Sequence, residues 1–138
     1  MYFATASTLD KTWPEKNFVK LIKYSIEQHP EMNHVLLAGL ADWEIEAAQR
    51  IRQKVNMDQL HLIQGGDTTN NVIANAKLLV SCDTGIRSLA IAYETPTLGI
   101  FPLSDATAFG YRPYFGQHVI VRSHNHEPVT FNDCKKWL

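Results

Sequence analysis

Asp83-Thr84-Gly85 directly follows a continuous apolar run, Leu78 to Cys82, and directly precedes residues at helical spacing, Ile86, Leu89, Ala90 and Tyr93. A strand ending in a tight turn that opens a helix is the expected local structure, and a glycine at that corner lets the backbone come close to a ligand. The first N–H groups of such a helix lack intrahelical partners and carry the positive end of its dipole, so phosphate is the group that suits them. Taken alone, the plainer account of the triplet is an N-cap Asp83 followed by a turn glycine. Its weight comes from two other polar loops in the chain.

Those loops are placed by the pattern of apolar residues. Strands are expected over Tyr2–Ala6, His34–Gly39, Leu60–Ile63, Leu78–Cys82, Thr97–Phe101 and His118–Val121. Between them lie helical periods. Phe18, Leu21, Ile22 and Ile26 share one face of a helix with Pro14 in its first turn and Pro30 just beyond its end. Ala48, Ile51 and Val55 mark a second helix, capped by Asp42. Gly65-Gly66-Asp67 makes a turn, Thr68 to Ala76 has room only for a short helix, and a terminal helical segment begins at Thr130. The stretch from Pro102 to Gln117 reads as a long loop. Strands alternating with helices imply parallel pairing and a sheet covered on both faces, an α/β Rossmann-like domain. In such sheets ligands bind outside the carboxyl ends of the strands. The loops 7–12, 39–44 and 83–88 all fall at such ends, and their convergence would make one site. The Rossmann glycine fingerprint is absent, which disfavours a dinucleotide cofactor.

Composition narrows the class further. A chain of 138 residues suits one domain, residues 1–138, with 45% apolar and 20% charged side chains. Thirteen basic against fourteen acidic residues leave a net charge of -1, which offers nucleic acid no electrostatic footprint. No apolar run approaches the roughly 18 residues of a membrane span. The first residues lack the basic flank and length of a signal peptide. Two cysteines, Cys82 and Cys134, make no disulfide framework, so the cytoplasm is the expected compartment.

The first strand with Lys11-Thr12-Trp13-Pro14, the loop 39–44 ending in Glu44, the octapeptide from Asp83 to Ala90, and Thr95-Pro96-Thr97 together resemble glycosyltransferase family 9. That family includes the ADP-heptose:lipopolysaccharide heptosyltransferases. The resemblance spans nearly the whole chain but matches only the C-terminal, donor-binding half of such an enzyme. It implies a GT-B architecture and an inverting, metal-independent transfer from a nucleotide sugar such as ADP-heptose, used as substrate with no other cofactor. It also implies roles for particular residues. Lys11 would contact the donor diphosphate and stabilise the leaving group, and Ser7 would hydrogen-bond a phosphate oxygen. Glu44 would accept hydrogen bonds from the ribose hydroxyls, with Glu46 as the neighbouring alternative. Thr84 and Gly85 would offer N–H groups to the pyrophosphate, and Asp83 would hold their turn. Fixed donors around a nucleoside diphosphate lower the barrier because they need little reorganisation as its charge grows.

Two departures from the family pattern stand out. Ser88 occupies the position, five residues after the Asp, where the family usually has His; a hydroxyl can bond a phosphate but brings no positive charge. Arg87 is adjacent, although neighbouring helix positions point different ways. The family's Gly-x-Thr-Ser-Leu appears as Gly66-Asp67-Thr68-Thr69-Asn70, before a helix about one turn short. The family's acceptor site and general base belong to an N-terminal domain for which this chain has no room. The expected partners are therefore a nucleotide sugar, that missing domain and a lipid-linked glycan acceptor, with a place in lipopolysaccharide or other surface-glycan biosynthesis at the inner face of the cytoplasmic membrane.

Other residues have plainer expectations. Trp13 is expected to pack and fix its loop rather than touch ligand. His118, His124 and His126 lack a nearby carboxylate or thiolate set and read as exposed loop histidines, so no metal site is expected. Cys82 reads as a small core residue, and Cys134 as exposed in the terminal segment. The aromatic segment 109–115 is expected to pack on the domain's own core, ahead of contact with the absent half or with the donor. A competing function is a non-catalytic nucleotide-binding or interaction module that kept the fold. A retroviral-type aspartic protease built on Asp83-Thr84-Gly85 is disfavoured, because helical periods flank the triplet where that chemistry needs a dimer of small β-rich chains.

Overall fold

A computed structural model describes residues 1–66, 68–102, 116–123 and 127–138. Six strands, β1 (Tyr2–Phe3), β2 (His34–Ala38), β3 (Leu60–Gln64), β4 (Leu79–Ser81), β5 (Thr97–Phe101) and β6 (His118–Arg122), form one sheet in the order β3-β2-β1-β4-β5-β6. Every neighbouring pair is parallel. The helices are α1 (Glu15–Gln28), α2 (Asp42–Val55), α3 (Thr68–Asn75), α4 (Gly85–Ala92) and α5 (Phe131–Lys135). This is a Rossmann-like α/β fold.

Neighbouring strand residues face opposite sides of a sheet, so a strand buried on both must be apolar throughout. Tyr2, Leu36 and Val80 belong to the core on the side of α1, α2 and α5, together with Phe18, Ile51 and Cys134. Their chain neighbours Phe3, Leu37 and Leu79 belong to the other core, with Ile73 of α3 and Ala90 of α4. The continuous apolar runs of the sequence are thus required by two-sided burial. Within α1, Phe18, Leu21, Ile22, Ser25 and Ile26 are buried at three- and four-residue spacing, the stripe an amphipathic helix turns to a core.

Several expected boundaries shift for local reasons. Ladder pairing in β1 stops at Phe3, not Ala6, because Phe3 pairs with Ser81, the last residue of β4, and the chain beyond has no strand to join on that side. Ala4, Thr5 and Ala6 stay buried as they run on toward the strand ends. Pro14 sits at the N-cap of α1 rather than in its first turn, and its carbonyl accepts from the N–H groups of Asn17 and Phe18 at 2.9 and 3.3 Å. Asp42 is the first residue of α2, and Ala41 takes the cap position. Asn56 ends α2 in the left-handed region (φ 49°), where its N–H reaches the Arg52 carbonyl. Cys134, expected exposed, is fully buried, since α5 lies across α1 and turns that side chain into the core. The expected loop 102–117 and the aromatic segment 109–115 lie largely outside the described residues.

Candidate functional site

The sheet order reverses between β1 and β4, and in open parallel sheets the carboxyl ends beside such a reversal form a crevice. A cavity of about 750 Å³ lies there. Ser7 and Lys11 enter its wall from the loop after β1, and Glu44 from the first turn of α2. Asp83, Thr84, Gly85 and Ser88 enter from the corner between β4 and α4. The three loops singled out by the sequence therefore meet, and every candidate residue they carry lines the same cavity. Glu46 is exposed and lies outside the lining.

Lys11 closes a short 3₁₀ turn, Leu9–Lys11, in which its N–H donates to the Thr8 carbonyl at 3.3 Å and the Thr12 hydroxyl donates to that carbonyl at 2.8 Å. Trp13 then anchors the segment. Its indole N–H donates to the Val129 carbonyl at 2.8 Å, and its ring meets Phe18 edge-on with centroids 5.1 Å apart. Its backbone N–H donates to the Cys82 sulfur at 3.4 Å. Cys82 precedes Asp83, so the anchor ties the Lys11 loop to the phosphate-suited corner.

At that corner the N-cap is Thr84, not Asp83. The Thr84 hydroxyl accepts from the Arg87 N–H at 3.2 Å, which leaves the Asp83 carboxylate outside the capping role. Gly85 and Ile86 then occupy the first turn, where N–H groups have no intrahelical acceptor, and both residues line the cavity. A Cβ on Gly85 would meet no protein atom within 4 Å, so neither packing nor a positive φ demands glycine there. Ser88 is exposed on the cavity side. Arg87 points the other way: it is 2% exposed, with its guanidinium 5.4 Å from the Phe101 ring centroid. Burial pulls that guanidinium below its ordinary value, opposed by the Asp83 charge. Arg87 therefore does not supply the charge that Ser88 lacks.

The Glu44 carboxylate is set in place by two residues the sequence reading did not single out. The Thr5 hydroxyl donates to Glu44 Oε2 at 2.7 Å, and a Cβ on Gly39 would fall within the Glu44 carboxylate. Thr69 was also missed. It lines the cavity, and its buried hydroxyl oxygen has no hydrogen-bond partner among the described residues. The signal for Thr5 was available, because a polar residue in an otherwise apolar strand end needs a partner once buried.

Of the three histidines, His118 is buried on β6, not exposed in a loop; its Nδ1 lies 2.8 Å from the Thr97 hydroxyl. Burial pulls its imidazole below the ordinary value. His124 and His126 lie outside the described residues. Among the described residues no group of three or more His, Cys, Asp or Glu side chains is placed to hold a metal ion. Cys82 and Cys134 are both buried, and burial pushes each thiol up to about 12. Both are thus held in the neutral thiol form, and thiolate is the reactive form. Neither cysteine should react with a thiol reagent in the native protein, whereas both should label after denaturation. Rapid native labelling of Cys134 would show that α5 is not docked as described.

A family model described as glycosyltransferase family 9 (heptosyltransferase) matches residues 2–137. Among solved structures, the E. coli heptosyltransferase WaaC with ADP is 24% identical, with a TM-score of 0.82 over 99% of this chain and 42% of that one. E. coli ADP-heptose LPS heptosyltransferase II is 21% identical, with a TM-score of 0.76 over 98% of this chain and 43% of that one. A family 9 glycosyl transferase from Veillonella parvula is 17% identical, with a TM-score of 0.72 over 88% of this chain and 34% of that one. No curated protein sequence matches. The chain spans less than half the length of these structural relatives, and the family model covers nearly all of it: it belongs to glycosyltransferase family 9.

Proposed function

We propose that residues 1–138 act as one nucleotide-sugar-binding domain, the donor half of an inverting, heptosyltransferase-like glycosyltransferase. The observation that carries this reading is the convergence of Ser7, Lys11, Glu44 and the Asp83 corner on one cavity beside the sheet's reversal point. A cation, a helix N-terminus and a glycine whose missing side chain leaves open space suit a diphosphate. A carboxylate at the opposite loop suits ribose hydroxyls. Lys11 and the Gly85 turn would stabilise the departing nucleoside diphosphate without a metal. One of the structural relatives, E. coli WaaC, was solved with ADP and with ADP-2-deoxy-2-fluoro heptose, which favours an adenosine diphosphate sugar as the donor. The acceptor, a lipid-linked glycan, and the general base would come from a further domain. The pathway would be lipopolysaccharide or other surface-glycan assembly on the cytoplasmic face of the membrane. Among the described residues no helix is long and apolar enough to cross a membrane.

A second reading, a binding module without transfer activity, is favoured by one observation. Ser88 faces the cavity where the family usually carries a histidine, and Arg87 is turned into the core. Calorimetric titration with ADP and ADP-heptose tests the shared premise. Saturable binding of both is expected, and no heat at millimolar ligand would overturn the donor-site reading. Transfer to a lipid-linked acceptor by the protein joined to its acceptor domain separates the two readings.

A further inference from the structure

Thr5 and Glu44 are 39 positions apart in the chain, yet Thr5 Oγ1 donates to Glu44 Oε2 at 2.7 Å. Thr5 is 5% exposed, so its hydroxyl has little water to turn to. Gly39 closes the other side, since any Cβ there would occupy the space of the carboxylate. The Gly39 backbone is not in the left-handed region, so what a side chain there would disturb is not φ but the observed placement of the Glu44 carboxylate. A glutamate on the first turn of a surface helix ordinarily samples several rotamers and loses entropy when a ligand fixes it. Here the rotamer is chosen before any ligand arrives. A carboxylate can accept about four hydrogen bonds, so the bond from Thr5 leaves Oε1 and one position on Oε2 for ligand hydroxyls.

We propose that Thr5 and Gly39 are positioning residues that hold Glu44 as a preset acceptor, making the cavity selective for ribonucleoside over deoxyribonucleoside diphosphates. The proposal rests on the donor-site reading above. It adds the residues that preset the carboxylate assigned there to the ribose hydroxyls. Thr5→Val keeps the shape of the side chain and removes the donor. The Glu44 carboxylate then turns toward solvent, and a ribose must order it again on binding. Gly39→Ala displaces the same carboxylate by contact.

The test is titration of the intact chain with ADP and with 2′,3′-dideoxy-ADP, which keeps the diphosphate and lacks both ribose hydroxyls. Hydrogen bonds to a charged acceptor predict that the native protein prefers ADP by roughly ten- to a hundredfold. In Thr5→Val and Gly39→Ala the preference should shrink to within about threefold, chiefly by weaker ADP binding, while Thr5→Ser, which restores the hydroxyl, should recover it. A merely structural loss would weaken both ligands alike and leave their ratio unchanged. An unchanged ratio in Thr5→Val overturns the positioning role and leaves the donor site standing. Equal native affinity for the two ligands overturns the ribose selectivity as well. Absence of ADP binding to the native protein overturns the donor-site reading and this proposal together.

Discussion

Lys11→Ala should weaken ADP binding by about 10- to 100-fold, or about 1.5–3 kcal/mol, while leaving the unfolding free energy nearly unchanged. Lys11 lies half-buried on the cavity wall, on a 3₁₀ turn held by its own backbone bonds and by the Thr12 hydroxyl. None of those bonds uses the lysine ammonium, so the turn survives its removal. What the donor-site reading expects to be lost is a charge-assisted bond to the diphosphate, in a cavity that screens less than bulk water. Lys11→Arg should retain part of the affinity, because it keeps the charge but changes its shape. In the protein joined to its acceptor domain, the same alanine should slow transfer by about a hundred- to a thousandfold, the usual effect of removing one preorganised donor. Calorimetry with ADP beside chemical denaturation of the same variant checks the first part. Undiminished affinity in Lys11→Ala would remove lysine from the donor site.

Trp13→Ala should behave differently, losing stability and binding together. The side chain is 1% exposed, packs edge-on against Phe18, and bonds the Val129 carbonyl across the domain. Deleting a buried tryptophan typically costs about 3–5 kcal/mol, a large share of the total stability of a domain this size. Trp13→Phe separates the two components. It keeps an aromatic ring against Phe18 but leaves the Val129 carbonyl unbonded, an expected cost of about 1–3 kcal/mol. The backbone N–H of residue 13 still reaches the Cys82 sulfur in the alanine variant, but loss of the ring's packing on Phe18 and of the indole bond to Val129 should loosen the Lys11 loop from the Asp83 corner and weaken ADP binding as a consequence. Urea unfolding followed by tryptophan fluorescence or circular dichroism reads the stability directly. A loss under about 1 kcal/mol would mean that the ring is not the anchor described.

Recognition from sequence succeeded where the cause is local. The run Thr97–Phe101 is fully buried on a strand with neighbours on both sides, so every residue of it is apolar or small, and its limits were legible to the residue. The α1 stripe was legible because burial on one face of a helix imposes three- and four-residue spacing. The gathering of loops 7–12, 39–44 and 83–88 followed from a general rule about parallel sheets, applied to elements already located. Boundaries suffered where two neighbouring residues could serve. Asp83 and Thr84 are both good caps, and only the hydroxyl's reach to the Arg87 N–H decided between them.

What the chain alone determined is the alternation of buried strands and amphipathic helices, and with it the fold class and the set of polar loops at the strand ends. Those properties follow from periodicity within windows of ten or fifteen residues. The tertiary structure decided the rest, because the deciding contacts join residues far apart in the chain. Cys134 is buried because α5 crosses α1, and His118 because β6 joins the sheet beside Thr97. Arg87 lies over Phe101 of a different strand, leaving Ser88 to face the cavity. Glu44, beside Gly39 of its own loop, acquires a fixed direction only when Thr5 arrives from the end of β1, 39 positions away, a contact that no local pattern encodes.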